Sequence, residues 1–515
     1  MSPRRILAAG FALALTFCAF GAANASASPF MVSIMQDDNA LIYSTHEQRV
    51  STLNSMKRLG VDAVRITVLW EAIAPRRRIN GSNPKAYPRQ NWDRYDDLVR
   101  EASTRGISVY MNITFPGPRW AQEKAPRGAI QRTWKPDPKQ FGRFVKAVGR
   151  RYNGGWTDEN AGRRRIPKVG FYSIGNEPNQ GGWLEPQAEK VKGAGLVPTS
   201  PALYRKLLIQ GANGLLRSGH KDDLVLIGET APLGVRPENF KRPLRPALFL
   251  RELFCLDRGL RPYRGKKAAA RDCGNVRQLR VLKRFSKLSF GHHPYTKTLA
   301  PGRRDRSPEA ITMANIGKLP QLLDRIAKRT NLVPSEMPIL LTEFGYETSP
   351  PDPFNGIRPE LQARYINEGD YLAWKQPRVF ATTQFLLNDV PPQSRYPKDT
   401  RLYWFTYQSG LFSDVGVPKP AATAYAVPFH VAREGGGHRF WGQVRFTPNG
   451  ADQQVYLQVK IGGQWQDAGG VQRVNNAVGF WDLKVPNAQR GQTWRAVWAS
   501  SDLSQFLVSR EVLVP

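Results

Sequence analysis

At 515 residues the chain is longer than one ordinary hydrophobic core supports, so two domains are expected. Its 75 Lys and Arg against 42 Asp and Glu leave a formal net charge of +33, a balance that suits acidic polymers such as nucleic acid, teichoic acid or a uronic-acid polysaccharide. The basic residues are dispersed, with only short clusters such as Arg76–Arg78, and no helix-turn-helix, zinc-finger or RNA-binding aromatic signature accompanies them, so nucleic-acid binding is not expected.

The first segment, 1–27, reads as a signal peptide. Arg4 and Arg5 precede the apolar run Ile6–Phe20, and Ala25-Ser26-Ala27 has the small-x-small pattern of a cleavage site. Export of a soluble, monomeric protein is the expectation. Cys18 falls in that segment, which leaves Cys255 and Cys273 to form one disulfide in an oxidising compartment. Thr45–Gln48 reads as a capping box ahead of the helical stripe Val50, Leu53, Met56, Leu59, which Gly60 closes. The β-branched run Val61–Leu69 then reads as a buried strand. The unit repeats: Trp92, Tyr95, Leu98, Val99 and Ala102 form a stripe before strand Ile107–Thr114, and Asp137-Pro138 opens the next helix as N-cap and first-turn proline.

Further strands are expected near Phe30–Met35, Val169–Ile174, Leu224–Gly228, Leu288–His292, Ile339–Thr342 and Val379–Leu386, with helices including Ile316–Ala327, Pro359–Trp374 and Pro420–Val427. Eight alternating units predict a (β/α)8 barrel over 28–432, because parallel strands need helical crossovers. A doubly wound sheet is the competitor, but no Gly-rich phosphate turn follows the first strand. After Gly435-Gly436-Gly437, read as a hinge, helical periodicity stops. Alternating segments such as Gln454–Lys460, Phe480–Val485 and Trp494–Trp498 predict a small all-β sandwich of immunoglobulin or fibronectin type over 433–515. Its aromatics Trp441, Trp465, Trp481 and Trp498 read as core.

In such a barrel, catalytic groups sit where strands end. The polar residues there are Arg65, Asn112, Asn176 with Glu177, Glu229, His292 and His293 with Tyr295, Glu343, and Asn388 with Asp389. Cleaving an acetal needs one protonated and one ionised carboxyl across a cleft. Position alone does not choose among Glu177, Glu229 and Glu343. Adjacent strand histidines point to opposite faces, which argues against a metal site. Trp120, Trp134 and Trp183 lie in loops after strand ends, where an indole either stacks on sugar or packs a lid.

The strand Val169–Asn179, with its Gly-Asn-Glu-Pro-Asn, closely resembles the fourth-strand signature of the clan of retaining (β/α)8 glycosidases that includes cellulases of glycoside hydrolase family five and β-xylosidases of family thirty-nine. The resemblance implies Glu177 as acid/base and Asn176 as a partner of the sugar 2-hydroxyl. Ile339–Gly345 matches the clan's seventh strand and implies Glu343 as nucleophile. Arg65, the His293-Pro294-Tyr295 triplet and Lys419–Tyr425 extend the likeness, which spans roughly 33–429. It implies a carbohydrate substrate and requires no metal or organic cofactor. Two departures concern the sugar pocket: family-five cellulases carry a His at the end of the third strand, where this chain has Met111-Asn112, and a Trp near the end of the eighth, where it has Gln384–Asn388. Arg65 beside Glu343 would keep that carboxylate ionised, while the charge of Glu343 would raise the pKa of Glu177. Trp183 is a candidate sugar platform, and Glu229 a supporting or subsite residue. The rival expectation is an inactive barrel that binds carbohydrate or cell-wall polyanion.

Overall fold

The computed structural model describes residues 27–28, 30–162, 164–446, 452–476, 478–500 and 503–515. The expected signal segment, apart from Ala27, lies outside them. Eight parallel strands close on themselves: β1 (Val32–Gln36), β2 (Ala63–Leu69), β3 (Ser108–Thr114), β4 (Phe171–Ile174), β5 (Leu224–Thr230), β6 (Lys287–His292), β7 (Ile339–Phe344) and β8 (Val379–Phe385). Each pairs with the next, and β8 pairs with β1, Val32 opposite Ala381. The chain is thus a (β/α)8 barrel followed by an all-β C-terminal region.

Two apolar layers hold the barrel. Ile34, Ala63, Tyr110, Phe171, Leu226 and Leu340 fill its interior, and a larger shell packs the outer strand faces against the helices. The local signals behave as their chemistry dictates. Thr45 and Gln48 cap the helix His46–Arg58 reciprocally, and the Asp137 carboxylate accepts from the amides of Lys139 and Gln140 at the start of Pro138–Arg151. Among the described residues, no helix is long and apolar enough to cross a membrane. Cys255 and Cys273 are joined, with Cα atoms 5.8 Å apart.

The C-terminal strands are β9 (Phe429–Glu434), β10 (Gly437–Gln443), β11 (Gln453–Ile461), β12 (Gln464–Val474), β13 (Phe480–Val485), β14 (Thr493–Ala499), β15 (Phe506–Val508) and β16 (Val512–Leu513). They form two antiparallel sheets, β9-β10-β13 and β12-β11-β14-β15, with β16 added beside β14. Phe440, Leu457, Trp481, Trp494 and Trp498 are buried together in one core. Trp465 is half-exposed beneath the Arg495 guanidinium, 4.2 Å from its ring centroid.

The glycines at 435–437 correct one expectation. Glu434 pairs with Gly437, and Gly435 and Gly436 turn between them at φ +54° and +79°. A two-residue hairpin loop demands positive φ at both positions, which glycine supplies without strain, so the segment is a hairpin turn and not a hinge.

The sheets dock firmly on the barrel. Trp441 is fully buried against Tyr371 and Trp374 of the helix Pro359–Trp374, and Arg445 donates to the buried Asp370 at 2.7 Å. Gly60, at φ +79°, lies so close to Arg445 that a Cβ there would come within 2.3 Å of its backbone.

Candidate active site

Arg65 organises the carboxyl end of the barrel. It stands on β2 with no exposed surface and directs its fork to four partners. Nη2 donates to Glu229 Oε2 at 2.6 Å and to Asn176 Oδ1 at 2.6 Å, while Nη1 donates to Glu343 Oε1 at 3.0 Å and to Gln36. Burial opposes its charge, but the carboxylates of Glu229 and Glu343 outweigh that and keep the guanidinium protonated. A lysine could not reach so many acceptors in one plane.

The three candidate glutamates separate by environment. Glu229 is completely buried and spends its oxygens on Arg65, the Tyr110 hydroxyl and the Asn112 amide, which donates at 2.6 Å. It braces Arg65 and has no face for a substrate. Gly291 on β6 makes room for it, since a Cβ there would sit 2.6 Å from Glu229 Cγ. Glu177 and Glu343 keep 17 % and 12 % of their side-chain surface open, and both line a cavity of about 480 Å³.

Glu177 follows β4 at φ +38°, and Glu229 closes β5 at φ +48°. Each left-handed backbone costs about 1–3 kcal/mol for a residue with a Cβ. The Glu177 amide donates to the Glu229 carbonyl at 2.9 Å, so the two unusual turns hold each other. Asn176 is fixed between them: its amide donates to Thr114 Oγ1 at 2.9 Å, and Arg65 occupies its Oδ1.

His293 and Tyr295 connect the pair. His293 Nδ1 lies 2.9 Å from Glu177 Oε1 and 3.4 Å from Glu343 Oε2, and the Tyr295 hydroxyl donates to Glu343 Oε2 at 3.2 Å. Burial, opposed by Glu343 and reinforced by Arg65, pushes the His293 imidazole down to about 4, so it is neutral at pH 7. His292 points the other way, bonding Thr230 Oγ1 and the Ile311 carbonyl at 2.9 Å each. Burial pushes Glu177 up to about 7, with Arg65 only partly opposing. Burial is thus the leading cause of that rise, ahead of the help expected from the Glu343 charge. Burial also raises Glu343, but His293 and the directly bonded Arg65 pull it back. Arg65 bonds Glu343 and not Glu177, a difference that favours the ionised form at Glu343.

Glu177, His293 and Glu343 offer one ligand atom each, all within 4.8 Å of one another. As a cation site the set is poor. The permanent charge of Arg65 is 3.0 Å from Glu343, and both Glu343 oxygens already accept hydrogen bonds.

The remaining candidates fall elsewhere. Trp183 is half-buried against the barrel core, and Trp120 donates Nε1 to the Pro75 carbonyl. Trp134 packs edge-on to Phe240 in a separate groove with Lys135 and Glu189. None of the three lines the cavity with Glu177 and Glu343. Its aromatic lining comes instead from Tyr295, Tyr346, Phe385 at the end of β8 and Tyr407 in the loop beyond, the last two in edge contact at 5.4 Å. Phe385 lies in the segment where the sequence showed only a missing Trp; Tyr407 carries no local signal of its own.

No family model matches the chain, and no curated protein matches it. Among solved structures, it is similar to a glucosidase from Croceicoccus marinus, with 12 % identity over 89 % of this chain and 94 % of that one, at a TM-score of 0.46. It is also similar to GH5_18 from Streptomyces cattleya in complex with GlcNAc, at 15 % identity over 78 % and 79 % of the two chains and a TM-score of 0.45. A Bacteroides uniformis β-glucuronidase matches at 11 % identity and a TM-score of 0.42; the match covers 94 % of this chain but 46 % of that one.

Proposed function

We propose that the chain is an exported glycoside hydrolase that cleaves β-linked sugars with retention of configuration. The observation that carries this reading is the pair Glu177 and Glu343, open to one cavity with their facing atoms within 4.8 Å. Retaining enzymes hold such carboxyls about 5–5.5 Å apart, whereas inverting ones leave about 6.5–9.5 Å for a water. The split environments supply the roles. Glu177, protonated up to about 7, delivers its proton to the glycosidic oxygen as that C–O bond breaks. Glu343, ionised beside Arg65, attacks the anomeric carbon and forms a glycosyl ester. A water then attacks the same carbon, its proton passes to Glu177, and the ester bond to Glu343 breaks. Export is supported by the basic and apolar start of the chain and by the Cys255–Cys273 pair.

Because Glu177 acts as an acid, kcat/KM should fall as pH rises through about 7. On the acidic side it should fall as Glu343 takes up its proton. Glu177→Gln should remove the basic limb and cut turnover of glycosides with poor leaving groups by roughly 10²–10⁴-fold, sparing activated aryl leaving groups in the first step. A pH profile of kcat/KM on an alkyl and an aryl glycoside measures both; an unchanged basic limb in Glu177→Gln would refute the assignment.

The high positive charge of the chain does not extend into the cavity. Glu343 and Glu347 line it against the ammonium of Lys297, and Glu177 is protonated there. A uronic acid bound there would meet mostly like charge, so a neutral sugar is the favoured substrate. An aryl β-glucoside, β-mannoside or β-xyloside should be hydrolysed at least about tenfold faster, by kcat/KM, than the aryl β-glucuronide. Preference for the glucuronide would reverse this choice of substrate and leave the hydrolase itself standing.

A further inference from the structure

The loop between β8 and the helix Pro420–Ala426 carries a feature that cleavage of the bond does not use. Residues 401–407 read Arg-Leu-Tyr-Trp-Phe-Thr-Tyr, four aromatics in seven positions. Phe405 is 78 % exposed and Tyr407 is 54 % exposed, with Leu402 exposed beside them. Large apolar side chains rarely stand so open in one short segment unless something covers them in use.

The segment is pinned in place. The amides of Val390 and Gln393 donate to the carbonyls of Tyr407 and Tyr403 at 2.8 Å each. Gln393 Nε2 donates to the Phe405 carbonyl at 3.0 Å, and Trp404 Nε1 to the Lys398 carbonyl at 3.0 Å. The exposed rings are therefore presented by a held backbone and do not have to be ordered when a ligand arrives.

Continuity identifies the ligand. Tyr407 lines the cavity that holds Glu177 and Glu343, and it meets Phe385 edge-on. Phe385 in turn lies 6.5 Å from Tyr295, whose hydroxyl bonds Glu343. Aromatic rings thus run from the catalytic carboxylate to the outer surface. The C–H face of a β-linked pyranose is apolar and flat, and it pairs with an aromatic ring at little conformational cost.

We propose that Leu402–Tyr407 is a carbohydrate platform that continues the catalytic cavity outward, and that the substrate is a β-linked oligo- or polysaccharide held over several units. This extends the glycosidase reading and rests on it for the bond that is cut, though not for the binding. The test uses the full chain carrying Glu343→Gln, with binding of β-1,4-linked gluco-, manno- and xylo-oligosaccharides of two and six units measured by calorimetry. For at least one series the hexamer should bind about tenfold more tightly than the dimer, and Phe405→Ala should erase most of that ratio while Phe405→Trp keeps it. Phe405 is exposed, so the melting temperature should not move. In the active chain, Phe405→Ala should lower kcat/KM on the hexamer relative to an aryl monoglycoside by a similar factor. Affinity independent of chain length in all three series, or a ratio untouched by Phe405→Ala, overturns the platform. Loss of sedimentation with phosphatidylglycerol vesicles in Phe405→Ala, with the sugar ratio intact, overturns it in favour of a membrane surface. A platform that binds hexamers in a chain that hydrolyses no glycoside would sustain this inference and defeat the hydrolase.

Discussion

Glu343→Gly should lower kcat on an aryl β-glycoside by on the order of 10⁵-fold, and added azide should restore turnover and yield the α-glycosyl azide. The size follows from the chemistry. Without the carboxylate no ester forms, and what remains is proton donation from Glu177 and binding in the cavity. Arg65 and Tyr295 would still be in place, bonded at 3.0 and 3.2 Å in the native chain to the group that has been removed, so the vacated space is small and polar. An anion such as azide fits there and attacks the anomeric carbon once as the bond to the aryl oxygen breaks, so the glycosyl azide carries inverted configuration. Glu177→Gly should respond in the opposite sense, giving the β-glycosyl azide, because its anion attacks the glycosyl ester from the face where water normally enters. Product NMR separates these outcomes. A β-azide from the Glu343 variant would exchange the two roles, and an α-azide from both would remove the double displacement altogether.

The second large effect is expected at Arg65. Arg65→Leu should destabilise the fold by about 3–5 kcal/mol, because it strands the fully buried Glu229 without its cation. It should also lift the acidic limb of the pH–rate profile. Arg65 pulls Glu343 down, so without it Glu343 protonates at higher pH and its nucleophilic form is lost earlier as pH falls. Adding Glu229→Gln should recover part of the stability, since a neutral amide tolerates the site, but should return only a minor part of the pH limb, because the Glu229 charge raises Glu343 by less than Arg65 lowers it. Thermal denaturation and a kcat/KM profile of both variants measure the two effects. If the double variant regained the native limb, Arg65 would act on Glu343 only through Glu229, and not directly across 3.0 Å.

What was legible in the sequence was whatever local chemistry decides. β-Branched runs at strand length, helical stripes between them, the capping residues Thr45 and Asp137, and the Cys255–Cys273 pair each carry their signal within a few neighbours. Eight such alternations leave the chain little choice but a closed parallel barrel, because each helix returns the chain to the same end. The strand-end glutamates were visible for the same reason, and a strand signature marked two of them.

Only the tertiary structure decided which of Glu177, Glu229 and Glu343 face a substrate. All three end strands, but Arg65, Tyr110 and Asn112 converge on Glu229 from β2 and β3 and bury it, while the other two open on one cavity. A glycine run such as Gly435–Gly437 looks alike in a hinge and in a tight hairpin; strand pairing makes the difference. The aromatic wall was hidden for another reason. Phe385 and Tyr407 are 22 residues apart and meet only because β8 and the loop after it fold over the same end of the barrel. Local pattern assigns elements and names the reactive groups; burial, charge partners and loop convergence, which depend on distant residues, decide which of those groups can react.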